Sequence, residues 1–159
     1  MLNLKQILED HSLWLSSNKT KGKQADLSNQ DLSGTNLTYA NLAYANLYNA
    51  NLKDASLYNA NLKNASLAAA NLENAGLAYA SLYRANLTNA SLYNASLENA
   101  NLKDANLTNA NLENVKGVQV FKCFYVENNE KKFNYFFNST KAKKEMSKRL
   151  ANRQCSWVG

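Results

Sequence analysis

Hydrophobic and polar positions recur with a period of five over most of this chain. From Ala25 to Asn114, the third residue of every pentapeptide is a leucine. An alanine lies two positions before each leucine, except at Gln30 and Thr35, and the residue between them is Asn, Asp, Ser or, once, Gly76. The last two positions of each pentapeptide are mostly polar, charged or tyrosine. Eighteen pentapeptides therefore follow one another without an insertion.

A period of five fits neither an amphipathic helix nor a simple strand. Asn and Ser also compete for backbone hydrogen bonds in turns, which disfavours a helix. The pattern predicts an all-β solenoid in which the leucine and the small residue two positions before it point inward, and in which stacked coils pair at about 4.8 Å. The predicted structural core is the leucine series Leu27, Leu32, Leu37, Leu42, Leu47, Leu52, Leu57, Leu62, Leu67, Leu72, Leu77, Leu82, Leu87, Leu92, Leu97, Leu102, Leu107 and Leu112.

The phrase A-[NDS]-L-x-x, as in Ala45-Asn-Leu-Tyr-Asn49, closely resembles the repeat of the pentapeptide-repeat protein family. This resemblance implies a right-handed, quadrilateral parallel β-helix with four pentapeptides in each coil. Eighteen repeats would then make four and a half coils. Residues twenty apart should lie above one another, so we expect Lys53 to pair with Glu73 and Arg84 with Asp104.

Residues 1–24 predict an N-terminal α-helical cap and a linker to the first coil. Asn3-Leu-Lys-Gln6 reads as a capping box, and an apolar helical stripe follows it. The order H-S-L-W-L, a Gly-Lys linker and A-D-L is similar to the leader of many pentapeptide-repeat domains. We expect Trp14 to help close the barrel and His11 to be a structural residue, because no catalytic partner for His11 is evident.

The repeat body is expected to span residues 25–119, with Val115-Lys-Gly-Val-Gln119 as a decayed nineteenth copy. Residues 120–159 predict a basic C-terminal extension. Two runs of strand-forming residues flank Glu127-Asn-Asn-Glu130 and indicate a β-hairpin. The segment from Lys141 to Arg153 then reads as a basic helix.

Charge is unevenly divided along the chain. The net charge of +6 comes from +2 in residues 1–24, −3 in residues 25–114 and +7 in residues 115–159. Cys123, Cys155 and His11 form neither a disulfide framework nor a metal-ligand spacing, so we expect reduced thiols and no cofactor or metal. No apolar run is long enough to span a membrane, and the amino terminus lacks a secretory h-region. These features predict a cytoplasmic protein.

The sequence contains no constellation that indicates an enzyme: no nucleophile with a base, no paired carboxylates in an apolar setting and no glycine-rich phosphate loop. The leading hypothesis is a non-catalytic protein–protein interaction scaffold built on a rigid rod, with a partner that the residues do not identify. Outward tyrosines scatter over more than one face. The candidate interaction residues are Tyr39, Tyr79, Tyr83, Lys144, Lys148 and Arg149.

Two alternatives stay open. Some members of the family that this chain resembles protect DNA gyrase from quinolones by imitating duplex DNA. That mimicry needs a strongly acidic face, whereas the seven acids of the repeat body are diluted by four bases. The basic C-terminal tail could instead attach the protein to nucleic acid or to an anionic membrane. A homodimer formed through the carboxyl end is a further hypothesis.

Overall fold

The computed structural model of the protein describes residues 3–117, 120–127, 130–137 and 155–158. It contains helix α1 (Leu4–Ser16) and strands β1 (Val120–Glu127), β2 (Glu130–Phe137) and β3 (Cys155–Val158). The helix expected from Lys141 to Arg153 lies outside the described residues, as do Lys144, Lys148 and Arg149.

Between α1 and β1 the chain winds into coils of twenty residues. Parallel β-bridges join residues twenty apart, from Asp26 with Asn46 to Ser96 with Lys116. Each pentapeptide contributes a single bridging residue, so the body shows isolated bridges and no extended strands. Short backbone hydrogen bonds join neighbouring coils: the Leu27 N–H donates to the Asn46 carbonyl at 2.8 Å, and the Asn46 N–H donates to the Ala25 carbonyl at 2.9 Å.

A tight turn follows every leucine. From Leu27 to Leu107, the N–H three residues after each leucine donates back to the leucine carbonyl, as from Ala50 to Leu47 at 3.1 Å. The fifth residue of each pentapeptide, here called the turn residue, has a φ angle between 54° and 65° in all eighteen repeats. A positive φ at the third position of a hydrogen-bonded four-residue turn is the requirement of a type II turn. This geometry turns the chain by one corner per pentapeptide.

Four pentapeptides complete one coil, so each coil has four sides, which we number in chain order. Side I holds repeats 25–29, 45–49, 65–69, 85–89 and 105–109; side II holds 30–34, 50–54, 70–74, 90–94 and 110–114; side III holds 35–39, 55–59, 75–79 and 95–99; side IV holds 40–44, 60–64, 80–84 and 100–104. Sides III and IV share a corner, and sides II and IV are opposite.

The interior is a stack of leucine and alanine side chains. All eighteen leucines are buried, and from Leu27 to Leu97 their exposed fraction does not exceed 1%. Alanine occupies the other inward position in all repeats but two, which have Gln30 and Thr35. Burying one leucine contributes about 1.5–3 kcal/mol, so the stack and not a single coil stabilises the body.

Helix α1 packs on the first coil. The Asn3 side chain accepts from the Gln6 N–H at 3.2 Å, as the capping box requires. The reciprocal bond is absent, because the Gln6 Nε2 donates to Asp10 instead. The predicted capping box is therefore only half formed. Partly buried Leu4, Ile7 and Leu8 contact the leucine core.

His11 joins this helix to the coil. Its side chain is fully buried, and its Nδ1 accepts a hydrogen bond from the Ala25 N–H at 3.0 Å. Its ring stacks on Trp14 with a centroid distance of 5.6 Å. The linker then turns at Gly22, where φ is 70° and a Cβ atom would collide with the Asp10 carbonyl. Only glycine can occupy position 22, because the linker backbone comes this close to α1.

The last bridge of the body joins Ser96 and Lys116. The next residue, Gly117, stands where the leucine would be, and the repeat pattern ends there. Strand β1 then pairs antiparallel with β2, with Val120 opposite Phe137. Strand β3 pairs antiparallel with the other edge of β1, which gives the sheet order β2-β1-β3. The sequence predicted the hairpin and did not predict β3.

Candidate interaction surface

Most outward asparagine side chains form hydrogen bonds within the repeat body. The Asn51 Oδ1 accepts from the Lys53 N–H at 3.3 Å, while its Nδ2 donates to Asp31 in the neighbouring coil at 2.9 Å. Turn residues form a second ladder, with Asn49 donating to Asn29 at 3.0 Å and Asn94 to Asn74 at 2.7 Å. These bonds hold the corners and the stack. The remaining candidates for a binding surface are the outward side chains that interrupt these ladders.

Three tyrosines on side III meet to form one exposed patch, here called the tyrosine cluster: Tyr39, Tyr58 and Tyr79. The ring of Tyr58 lies edge-on to Tyr39 at a centroid distance of 5.8 Å and to Tyr79 at 5.5 Å. The exposed fractions are 67% for Tyr39, 40% for Tyr58 and 49% for Tyr79. The sequence named Tyr39 and Tyr79 and missed Tyr58.

Tyr58 does not lie in the exact twenty-residue register of Tyr39 and Tyr79. Tyr58 is nineteen residues after Tyr39, one position short of a full coil, and twenty-one before Tyr79. Asn59 is the residue that lies exactly one coil from both Tyr39 and Tyr79. The large aromatic ring of the preceding residue, Tyr58, reaches both tyrosines instead. The outward tyrosines lie on more than one side, as expected, and three of them meet on side III.

Two of these tyrosines occupy an unfavourable backbone conformation. The turn residue is Asn, Asp or Gly in most repeats, which suits a left-handed φ because these residues tolerate it at small cost. Five repeats place another residue there: Tyr39, Tyr44, Ala69, Tyr79 and Arg84. A non-glycine residue in a sparsely populated conformation costs about 1 kcal/mol or more. Four of the five lie on sides III and IV, and Ala69 lies on side I.

Side IV carries a second group of interest, here called the basic group: Lys63, Tyr83, Arg84 and Lys103. The Lys63 Nζ lies 5.7 Å from the centre of the Tyr83 ring, and the Arg84 Cζ lies 4.9 Å from it. The Arg84 Nε approaches the Asp104 carboxylate at 3.8 Å. Tyr83, which the sequence named, therefore lies between two cations and not in the tyrosine cluster.

The opposite side is acidic. Side II carries Asp31, Asp54, Glu73 and Glu113 against Lys53, a net charge of −3, and Lys53 pairs with Glu73 at 3.6 Å. Side IV carries the three cations of the basic group against Asp104, a net charge of +2. Both ion pairs expected from the twenty-residue coil are present. The fold thus separates charges that are mixed along the sequence.

Three ionisable groups in the described part of the chain have clearly shifted pKa values. Burial lowers the pKa of His11, which the backbone of Ala43 partly offsets. Hydrogen bonds from Ser28 and Ser33 lower the pKa values of Asp26 and Asp31, respectively, and both carboxylates lie at the surface. Within residues 3–117, 120–127, 130–137 and 155–158, no three His, Cys, Asp or Glu side chains gather as metal ligands would. The same residues include no helix long and apolar enough to cross a membrane.

Comparison with known proteins agrees with the repeat architecture. The family model described as "Pentapeptide repeats (8 copies)" matches residues 23–54, 55–92 and 80–116. A comparison with curated proteins finds no match.

Solved structures supply relatives of known fold. A pentapeptide repeat protein from the thylakoid lumen of Arabidopsis thaliana is 34% identical, with a TM-score of 0.46 over 58% of this chain and 68% of that one. Rfr23 from the cyanobacterium Cyanothece 51142 is 29% identical, with a TM-score of 0.42 over 57% of this chain and 83% of that one. QnrB1, a plasmid-mediated fluoroquinolone resistance protein, is 19% identical, with a TM-score of 0.30 over 58% of this chain and 52% of that one.

The twenty-residue coils, the leucine core and the left-handed turn residue recur through eighteen repeats, and the family model covers the same stretch. This chain belongs to the pentapeptide-repeat family.

Proposed function

We propose that this protein is a non-catalytic interaction scaffold whose rod presents the tyrosine cluster on side III to another protein. The observation that carries the proposal is the meeting of Tyr39, Tyr58 and Tyr79 as three exposed rings in edge-to-face contact. Tyrosine offers a large, amphipathic contact area and loses little conformational entropy on binding.

The surroundings of the cluster suit protein recognition. The other outward residues of side III are almost all small or uncharged, including Ser56, Gly76 and Ala78, and Glu98 is its only acid among the repeats. Serine, glycine and asparagine around tyrosine supply adaptable hydrogen bonding, as they do in antibody paratopes. The continuous backbone bonds between coils hold the rings at fixed spacing, which lowers the ordering cost of binding.

We further infer that the body is a right-handed, four-sided β-helix whose amino end is closed by α1. Support comes from the parallel bridges twenty residues apart and from the four turns in each coil. Partly buried apolar residues of α1 contact the core at the end where the first coil has no neighbour. Closing that end would prevent other chains from pairing with an open rung.

DNA mimicry receives less support from the charges. Four acids and one base on side II, with single acids of the repeats on sides I and III, make a short acidic strip. The opposite side carries net positive charge, which a phosphate-binding groove would repel. We therefore do not propose gyrase as the target.

The proposal is tested by capture from a cell extract with two matched variants. Tyr58 and Tyr93 occupy the same repeat position and have exposed fractions of 40% and 39%, but Tyr93 lies on side II. We expect Tyr58→Ser to lose a partner protein that both the parent chain and Tyr93→Ser retain. Removing a central aromatic residue from an interface commonly costs about 2 kcal/mol or more, roughly a thirtyfold loss of affinity.

Photo-crosslinking gives an independent readout. With p-benzoylphenylalanine at position 58 or 93, the same partner should attach at position 58 and not at position 93. Equal capture by Tyr58→Ser and Tyr93→Ser, with equal crosslinking at the two positions, would place the contact elsewhere and end the proposal.

A further inference from the structure

We infer that the binding surface continues around the corner onto side IV and that the basic group there receives an acidic polypeptide segment of the same partner. This inference rests on the proposed function and specifies the chemistry of the partner. Its starting point is the separation of charge across the rod, with a net +2 on side IV and −3 on the opposite side II.

Two of the three cations of the basic group lie against an aromatic ring. Lys63 and Arg84 both lie against Tyr83. Near the amino end of the same side, the Lys19 Nζ lies 4.7 Å from the centre of the Tyr44 ring and 5.2 Å from that of Trp14. A cation packed over a ring loses part of its rotamer freedom before any ligand arrives. Such cations are better placed for a carboxylate than freely rotating surface lysines.

The basic group and the tyrosine cluster adjoin each other. Tyr79 is the turn residue at the corner where side III ends, and Tyr83 lies on the same coil four residues later. Both sides contain residues with an unfavourable left-handed φ: Tyr39 and Tyr79 on side III, and Tyr44 and Arg84 on side IV. Backbone strain of this type concentrates at binding and active sites, where function offsets its cost in stability. Sides I and II show it only at Ala69 among the repeats.

The size and sign of the charge favour a polypeptide over nucleic acid. Proteins that bind nucleic acid through the backbone commonly neutralise about 6–10 phosphates. The basic group offers three cations, one of which is shared with Asp104, and side II would repel a long polyanion. A polypeptide with a few carboxylates beside an apolar side chain can use both surfaces, the carboxylates on side IV and the apolar group on the tyrosines.

The test uses the full chain and a defined probe. The probe is a fluorescein-labelled peptide of glutamate and serine with one central p-benzoylphenylalanine, and its counterpart carries glutamine in place of glutamate. We expect Lys63→Glu/Arg84→Glu to raise the dissociation constant for the acidic peptide about fivefold or more, and Lys53→Glu, the control on side II, to change it less than about twofold. Affinity for the acidic peptide should fall as salt rises from about 50 mM to about 300 mM, while the glutamine peptide binds weakly throughout.

Crosslinking locates the bound peptide. We expect attachment to sides III and IV of the repeats. A thermal melt of each variant checks folding, and the neutral double variant Lys63→Gln/Lys103→Gln repeats the measurement without introducing acids.

Three outcomes would overturn the inference: unchanged affinity in both double variants, crosslinks confined to residues 141–153, or competition by a short duplex DNA as effective as unlabelled peptide. The last outcome would assign the surface to nucleic acid. Each leaves the comparison of Tyr58→Ser with Tyr93→Ser unaffected, so failure of this inference is distinguishable from failure of the proposed function.

Discussion

At the scale of the residue, the turn position accounts for half of the asparagines in the repeats. A left-handed φ recurs at the fifth residue of every pentapeptide, and asparagine meets it at small cost while donating to the asparagine one coil away. The sequence predicts the asparagine columns and their stacking. It does not reveal the sign of φ, because the same residues are equally typical of caps and of turns without a left-handed residue.

Ala69 is the residue that tests this account of the turn position. It interrupts the asparagine column of side I at a φ of 59°. We expect Ala69→Asn to raise the free energy of unfolding by about 1 kcal/mol, because asparagine relieves the strain and can bond to Asn49 and Asn89. Chemical denaturation of both proteins measures the difference. If Ala69→Asn lowers the free energy of unfolding, asparagine is not favoured at the turn position by its tolerance of a left-handed φ.

At the scale of the element, the repeat pattern predicts the coiled body better than it predicts the helix and strands on either side of it. The leucine period predicts which side chains point inward, whereas the number of four pentapeptides in each coil was implied by the resemblance to the family. The ends depend on contacts that the repeat does not predict. Gln6 bonds to Asp10 and leaves the capping box with Asn3 half formed. Cys155–Val158 pairs with β1, which is distant in the sequence. Local patterns such as S/T/N-x-x-E/Q carry no information about a competing partner like Asp10.

His11 makes the contact between α1 and the first coil sensitive to pH. Its buried Nδ1 accepts a hydrogen bond from the Ala25 N–H, and this contact is lost if Nδ1 takes up a proton. Burial holds the pKa of His11 below its ordinary value of 6.5, so the unfolded chain takes up this proton more readily than the folded protein does. We therefore expect full stability above pH 6.5 and a decline as the pH falls below that value.

The measurement is the melting temperature between about pH 7.5 and about pH 5, above the range in which the carboxylates titrate. Asn at position 11 keeps an acceptor near Ala25 and removes the titration, so His11→Asn should flatten the profile. A parent chain whose melting temperature is constant over this range would contradict a lowered pKa of His11 in the folded protein.

At the scale of the whole molecule, the winding of the chain creates features that no single repeat contains. Tyr39, Tyr58 and Tyr79 are spread over forty-one residues and meet on one side. Charges that alternate along the sequence separate onto opposite sides. The coil period of twenty predicted the pairs Lys53–Glu73 and Arg84–Asp104, because their register follows from the backbone. It missed the cluster, because contacts between large side chains also reach neighbours one position off register.

The central claim is that the tyrosine cluster serves binding and not the fold, and the double variant Tyr39→Asn/Tyr79→Asn tests it most directly. Restoring asparagine at two left-handed positions should gain about 1 kcal/mol each, which offsets the loss of two edge-to-face contacts worth about 0.5–1.5 kcal/mol each. We therefore expect nearly unchanged stability together with loss of the partner that the parent chain and Ala69→Asn capture. A large fall in stability, or a partner retained at parental affinity, would contradict the account.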